Sequence, residues 1–412
     1  MRKIVLMIFR RDFRLINNPA WDSCVQYAAS INATIAPCFI FSDRQITTSQ
    51  NAYFSDKAFI TMVYFLKHIQ QDLDNKITFF HAKKQQSDTF ILDRISESYS
   101  IKGVFFNKDI TPFSIDRDKH ILEWCQKHSV NCNNNDKCPV GEGYTIWIPG
   151  DIVTKSTKTI PKVFSTFYSY TKNKVIFSYP EYKNNTTNKL TVLKLDSSYL
   201  MSNLPDTSSV SLEPPHIILN KLDEGFFDSY GSTRNDYNIP TTKLSVYLKF
   251  GVIDVFQVMH IVRKRKIKDL ERQLIWREFY YHLAYGYPYV ITEKNKHIRP
   301  DRNKNIKWSN DKRLIDKWYH GNTGEELVDQ AMKSLRNTGY LHNRLRMVVA
   351  SYLVREYNVD WRIGEQLFAT LLIDYDPAQN SGGWQSMDAQ IPGQEIKAST
   401  QLKKYGKLVK NE

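Results

Sequence analysis

The chain has 412 residues, 42% of them apolar and 13% aromatic, with a formal net charge of +14. That length exceeds one ordinary core and suits two domains of about 150–200 residues each. No apolar stretch reaches the ~18 residues that span a bilayer, which excludes a membrane protein and leaves a soluble one as the expectation. The basic balance attracts polyanions, nucleic acid first and an anionic membrane surface second; a lysine- and asparagine-rich composition produces the same charge with no partner. The five cysteines, Cys24, Cys38, Cys125, Cys132 and Cys138, are odd in number and form no C-x-x-C pair. They read as reduced thiols of an intracellular protein. The run Cys125, His128, Cys132, Cys138 fits no zinc-knuckle spacing, so no metal is expected.

In chain order, Lys3–Phe9 is an apolar run of strand length, Asn18–Ser30 a helix entered through Asn-Pro, and Thr34–Phe41 a second apolar run. Asp56–Asp72 has helical periodicity, Ile77–His81 is a third strand, Ser87–Tyr99 a helix, Gly103–Asn107 a fourth strand and Ser114–His128 a helix. Alternating strands and helices imply a doubly wound parallel sheet, an α/β domain over residues 1–130. Such sheets bind ligands at their carboxyl ends. Residues 131–215 lose the pattern: Asn133–Asn135, Lys183–Lys189 and Ser208–Pro215 are polar or proline-bearing, as in a long linker. Residues 216–412 read as all-helical, with periodic stretches at Val252–Arg265, Lys268–Tyr285, Lys312–His320, Leu327–Asn337, His342–Tyr357 and Ile363–Ile373.

Four constellations in this last part carry polar chemistry. Thr241, Thr242, Lys243, Leu244 and Ser245 precede a helix; hydroxyls and a cation beside exposed amides can hold a phosphate, although an ordinary N-cap has the same composition. Gln273, Trp276, Arg277 and Tyr280 are three or four apart and share one helix face, suited to stacking on and hydrogen-bonding a planar ligand, or to packing on a neighbouring helix. In the run from Thr338 to Met347, Asn343 and Met347 share a face, as do His342 and Arg346. Asp374 and Asp376, ahead of Asn380 and Trp384, resemble metal ligands; they can equally hold an arginine or accept from a ligand N–H.

These segments, GNTGEELVDQAM, TGYLHNRLRM, VDWRIGE and DYDPAQNSGGWQ between Gly321 and Gln385, with TTKLSVYLKFG at 241–251 and WREFYYHL at 276–283, closely resemble the flavin-binding core of photolyases and cryptochromes. FRRDFRLINNPA at 9–20 and FIFSDRQI at 39–46 resemble the same family's α/β domain. The resemblance covers almost the whole chain. It implies a C-terminal FAD-binding domain, with Thr241, Thr242, Lys243, Leu244 and Ser245 at the pyrophosphate, and with Tyr230, Arg277 and Asn343 also at the cofactor. Arg346 would pair with Asp374, Asp376 would accept from the flavin edge, and Asn380 would face N5, where an amide bonds without supplying a proton. Trp384, Trp361 and Trp318 match the family's electron-carrying tryptophans. Arg234, Gln273, Trp276, Asn343 and Met347 would contact DNA and its lesion. The implied reaction is light-driven electron transfer to a cyclobutane pyrimidine dimer flipped out of the duplex, in the manner the general account of base flipping gives for photolyases. The α/β domain could hold a second, antenna chromophore, a folate or a deazaflavin, or leave that site empty. The expected partner is UV-damaged DNA, met by a monomer away from membranes, in nucleus or cytoplasm; the composition also fits a viral genome.

Two positions depart from the family. Gln273 stands where dimer-specific photolyases carry Glu; it can still accept and donate but cannot change charge. The (6-4) photolyases carry Gln there, but Asn343 and Met347 are the dimer-type residues. Ser386 stands where the family's GGWQW has its second tryptophan, so lesion stacking is lost on that wall. Beyond Ser386 only Lys397–Gly406 echoes the family. The alternative implied by these departures is a cryptochrome-like photoreceptor or a flavin- and DNA-binding relative that does not repair.

Overall fold

The computed structural model describes residues 1–84, 86–132, 141, 143–172, 174, 191–292, 296–299 and 306–387. They fall into two compact units, the first made of Met1–Asn51, Ile60–Pro215 and Tyr247–His260, the second of Ala52–Phe59, His216–Val246 and Ile261–Glu412. The strands β1 (Arg2–Ile8), β2 (Thr34–Ser42), β3 (Thr78–Ala82), β4 (Tyr99–Phe105) and β5 (Asn131–Cys132) form one parallel sheet in the order β3-β2-β1-β4-β5. Every residue of β2 is buried, as a strand covered on both faces requires, and this explains its unbroken apolar run. The intervening helices are α1 (Pro19–Ser30), α2 (Asp43–Ile46), α3 (Asp56–Asp72), α4 (Asp88–Ser96) and α5 (Pro112–Lys127). Asn18 and Thr111 cap α1 and α5 by accepting from the amides of Trp21 and Ser114, each followed by proline at the first helical position, where the missing N–H costs nothing.

Two expectations are corrected. The helix read as Ser87–Tyr99 ends at Ser96, and Tyr99 opens β4, four residues ahead of Gly103. The early part of β4 pairs with the start of β1, Arg2 to Ile4, of which Arg2 and Lys3 are exposed, and its polar Ser100 and Lys102 hid it from an apolar-run criterion. A fifth strand, β5, was not foreseen, because two residues carry no period. Within residues 131–215, Tyr144, Ile146, Trp147 and Phe167 are buried, the last in α6 (Phe164–Thr171). Val192 bridges β2 at Ile35, and Leu200 bridges β3 at Phe80. This stretch therefore covers the β3 edge, a site that exposed strands leave open to other chains. The polar runs Asn133–Asn135 and Lys183–Lys189, Cys138, and Lys397–Gly406 lie outside the described residues.

The remaining elements are helical: α7 (Pro215–Asp223), α8 (Tyr230–Thr233), α9 (Leu244–Phe250), α10 (Val255–Lys264), α11 (Lys268–Gly286), α12 (Lys312–His320), α13 (Glu326–Thr338), α14 (Asn343–Ser351), α15 (Trp361–Leu371) and α16 (Pro377–Met387). A π-helical turn, Tyr352–Glu356, follows α14. The second unit's core gathers Trp318, Val328, Leu335, Val349, Leu353, Trp361, Phe368 and Trp384. Among the described residues no helix is long and apolar enough to cross a membrane, and no group of three or more His, Cys, Asp or Glu is placed to hold a metal.

Candidate functional site

The polar residues of the helical unit meet in three linked groups. The first surrounds Tyr340. Its hydroxyl lies 3.1 Å from Thr241 Oγ1, the Lys243 ammonium is 5.6 Å from its ring centre, and the Arg346 guanidinium 5.7 Å. Arg346 Nη2 donates to both oxygens of Asp374, at 2.8 and 3.0 Å, and Nε donates to the Leu341 carbonyl at 2.8 Å. The Asp374 side chain is 1% exposed; a carboxylate so removed from water requires such a partner. Burial works against the Arg346 charge, but the Asp374 carboxylate outweighs it and the pKa is raised. Thr242 Oγ1 accepts the Leu244 amide at 3.4 Å, and Thr242 and Leu244 are buried. These two residues build the loop, while Thr241, Lys243 and Ser245 are its surface toward any anion.

The second group surrounds Asp376. Tyr281 donates its hydroxyl proton to Asp376 Oδ2 at 2.6 Å, and Oδ1 accepts the amides of Ala378 and Gln379 at 3.0 and 3.2 Å, which caps α16. Its carboxylate is thus held by α11 and by the first turn of α16. Arg277 lies 4.6 Å over the Tyr281 ring and donates to the wholly buried Glu278 at 3.2 Å. Gln379 donates to the Arg277 carbonyl at 3.0 Å, tying α11 to α16.

The third group is Asn380 with Glu365. Asn380 Nδ2 donates to the Glu365 carbonyl and to Glu365 Oε1, both at 2.9 Å. With the amide oriented by that network, both its hydrogens are used and Oδ1 is left as an acceptor. Glycines set the spacing here. A Cβ on Gly364 would lie 2.2 Å from Trp384, and one on Gly382 would lie 2.1 Å from Tyr280, whereas Gly383 has nothing within 4 Å. Gly383 is three residues from Asn380 and shares its face, so this face of α16 is open.

The aromatic wall is Trp276, 5.6 Å from both Phe279 and Tyr280. Burial pushes the Tyr280 hydroxyl up to about 12, against a hydrogen bond shared with Ser386; Ser386 donates its one proton to the Gly383 carbonyl at 2.6 Å. Gln273 is half-buried one turn before Trp276. Arg234 forms an ion pair with Asp269 at 3.0 Å. The Tyr230 hydroxyl is raised by burial, with Arg234 and Arg344 offsetting part of it. Asn343 is exposed at the start of α14, and the Met347 sulfur accepts from Arg344 at 3.4 Å.

Trp384 packs on Phe368 at 4.9 Å and on Trp318 at 6.2 Å. Trp361 meets His297 edge-on at 6.3 Å. Trp318, however, is 0% exposed and gives its indole N–H to the Val349 carbonyl at 2.8 Å. Enclosed in this way, it has no contact with solvent. Trp308, half-buried against the same cluster, has one. Tyr281, Tyr340 and Glu365 were likewise not singled out, although each stands inside a quoted motif; their hydroxyl and carboxylate partners are distant in sequence, so only the fold reveals them. At the carboxyl ends of β1 and β4, Asp12, Asn18 and Asn107 are wholly buried and bonded together, Asn107 donating to Asp12 at 2.5 Å and to Asn18 at 2.8 Å. The switch point of the sheet is thus filled by the chain itself.

Residues 5–183 match the family model described as DNA photolyase, and residues 270–404 that of the FAD binding domain of DNA photolyase. The deoxyribodipyrimidine photo-lyase of Buchnera aphidicola subsp. Baizongia pistaciae is 28% identical over 414 aligned positions, 92% of this chain and 80% of that protein. The crystal structure of the archaeal photolyase from Sulfolobus tokodaii with two FAD molecules superposes with a TM-score of 0.78 at 26% identity, covering 98% of this chain and 88% of that one. The Synechocystis sp. PCC6803 cryptochrome, 20% identical, shares the fold with a TM-score of 0.74 over 99% of this chain and 87% of its own.

Proposed function

The chain belongs to the DNA photolyase and cryptochrome family, and on that footing we propose that it is a deoxyribodipyrimidine photo-lyase that splits cyclobutane pyrimidine dimers in UV-damaged DNA. The observation that carries this reading is the Asn380–Glu365 pair, which commits the amide nitrogen to Glu365 and leaves the amide oxygen as an acceptor. The residues present fit FAD. Thr241, Lys243 and Ser245, with Arg346 behind them, offer hydroxyls and positive charge to a pyrophosphate, and Asp376, an acceptor-only carboxylate oriented by Tyr281, suits a ring N–H. FAD, when bound, supplies light-driven one-electron chemistry.

The chain's own residues do the rest. Arg346 and Asp374 fix the two loops that frame the site. Asn380 accepts a hydrogen bond and has no proton to give. Trp276 offers a ring face to a flipped base, and Gln273 can accept from a pyrimidine N–H and donate to its carbonyl. Trp308, Trp361 and Trp384 can pass an electron inward from solvent, since indoles are oxidisable; Trp318 packs against that path from within. A second chromophore in the α/β unit, a folate or deazaflavin, has to sit away from the β1–β4 switch point, which Asp12, Asn18 and Asn107 occupy.

One observation favours a second reading. Ser386 is bonded to Tyr280 and Gly383 and offers no ring to a lesion, which suits a cryptochrome-like photoreceptor or a non-repairing relative. The test is photorepair of an oligonucleotide carrying one cyclobutane dimer, with FAD reduced, in blue light against darkness. Light-dependent loss of the dimer is expected. Its absence, with FAD bound and photoreducible, refutes the lyase and leaves the photoreceptor.

A further inference from the structure

Among the described residues of the second unit, Phe226 is the large hydrophobic side chain most exposed to water. Phe226 is 65% exposed, while Phe227 beside it is 7% exposed. The exposure is built. Helix α7 ends in a left-handed turn at Gly225, φ +94, with the Phe226 amide bonded back to the Lys221 carbonyl at 3.0 Å. In this type of helix stop the residue after the glycine usually packs on an apolar side chain four or five positions back. Here that position is Lys221, whose ammonium stands 5.6 Å from the Phe226 ring centre. At φ +94 any residue with a Cβ would be strained at Gly225, and its Cβ would also displace the end of the Arg265 side chain.

Lys221 is the cation against the ring. The end of α10, the turn after it and the start of α11 carry Arg263, Lys264, Arg265, Lys266 and Lys268, of which Arg263 is ion-paired with Glu271 at 2.8 Å and Lys266 and Lys268 are exposed. Arg265 is ion-paired with Asp228 and Lys264 with Asp223, at 2.8 Å for the latter, so both reach back to the segment that presents Phe226. The same surface continues to Asp269 and its partner Arg234. Asp269 and Trp276 are seven residues apart on α11, about 10 Å of helix and about three nucleotide steps.

We propose that Phe226 and Lys221 form an accessory contact for single-stranded DNA, stacking on an unpaired base of the strand that flanks the lesion, more than three nucleotides from it. An exposed ring set among lysines and arginines is how proteins hold single strands without reading sequence: cations track the backbone and a ring face takes any base. In a duplex the bases are already stacked and offer the ring no face. The inference rests on DNA being the partner and adds a preference for dimers with a single-stranded flank.

The test uses the FAD-loaded full chain and fluorescence anisotropy. The probes are single strands reaching about ten or about two nucleotides past the central position on each side, with and without a dimer, and the duplex of the longer one. Phe226→Ala should weaken the long single strand by about five- to a hundredfold and leave the short strand and the duplex within twofold. Phe226→Trp should retain the parent affinity, and Lys221→Gln should lower the salt slope on the long strand by about 0.7. Equal loss on long and short strands, or no loss on the long one, overturns the proposal. Because the undamaged strand carries the same flank, a parent protein that ignores the dimer but still loses long-strand affinity in Phe226→Ala sinks the repair reading and leaves this one standing.

Discussion

Alanine at two glycines of one helix pair should move stability in opposite directions. In a helix interior Gly→Ala is worth about 1 kcal/mol, because glycine gives up more backbone freedom on folding. Gly383 has nothing within 4 Å of an added Cβ, so Gly383→Ala keeps that gain. At Gly364 the new methyl would lie 2.2 Å from Trp384, and Trp384 is wedged against Phe368 and Trp318. Overpacking of a dense core costs about 1–3 kcal/mol, and with no room to retreat the upper end applies, for a net loss of about 2 kcal/mol after the propensity gain. At about 2–4 °C per kcal/mol, the FAD-free protein should melt a few degrees higher with Gly383→Ala and about 4–8 °C lower with Gly364→Ala. The Gly383 methyl also projects from the face that carries Asn380, so the same variant that gains stability without FAD should lose FAD more readily in a release assay. Circular dichroism melts and flavin fluorescence read the two effects separately. A lower melting point for FAD-free Gly383→Ala, or unchanged flavin retention, would show that this face of α16 is not the one that meets the ring.

Ser386→Trp should tighten binding of a dimer-containing oligonucleotide by about five- to a hundredfold, the worth of one base–aromatic stack, and leave undamaged DNA unaffected; equal gains on both would place the new ring outside the lesion pocket. Asp374→Asn strands Arg346 and should cost about 3 kcal/mol, lowering the melting point by about 6–12 °C; a shift under about 2 °C would mean the pair is dispensable. Burial, with Arg344 and Arg346 nearby and Asp236 opposing them, pushes His342 down to about 4. The unfolded chain, near 6.5, then binds the proton first, so stability should fall as pH drops from about 6.5 toward 4 and be flat above that window. His342 also caps α14 through the Arg344 amide at 3.1 Å; His342→Asn keeps a cap and should flatten the slope in urea titrations at both pH values. An unchanged slope would assign it to other groups.

The strands β1 to β3 were legible because each is a short apolar run between turn residues, and α1 because Asn-Pro announces a capped start; α5 was read from Ser114, two residues inside its true start at Pro112 behind the Thr111 cap. The start of β4 was not, because its pairing with exposed Arg2 and Lys3 tolerates serine and lysine. The packing of residues 143–172 on the first unit was hidden for a related reason: isolated apolar residues such as Trp147 and Phe167 carry no period. In the site, the spacing of Asp374, Asp376 and Asn380 was visible as pattern. What each bonds to was not, since Arg346, Tyr281 and Glu365 arrive from other helices. Burial was not legible either, for Trp318 is wholly enclosed although its neighbour Lys317 is exposed.

The first unit is not continuous in the chain. Its last piece, Tyr247–His260, follows a stretch that belongs to the other unit. Phe250 from that piece stacks on Phe13 at 6.1 Å and tilts on Phe65 at 5.6 Å, Tyr247 lies 5.8 Å from Phe65, and Arg14 donates to the Gly251 carbonyl at 2.8 Å. On the ribosome, therefore, all five strands emerge well before the residues that cover Phe13 and Phe65. For that interval the nascent sheet presents two uncovered aromatic rings, the kind of surface that chaperones bind and that drives misassembly. A chain halted at Pro215 would keep them uncovered for good, so expression of the α/β unit on its own has to extend through His260.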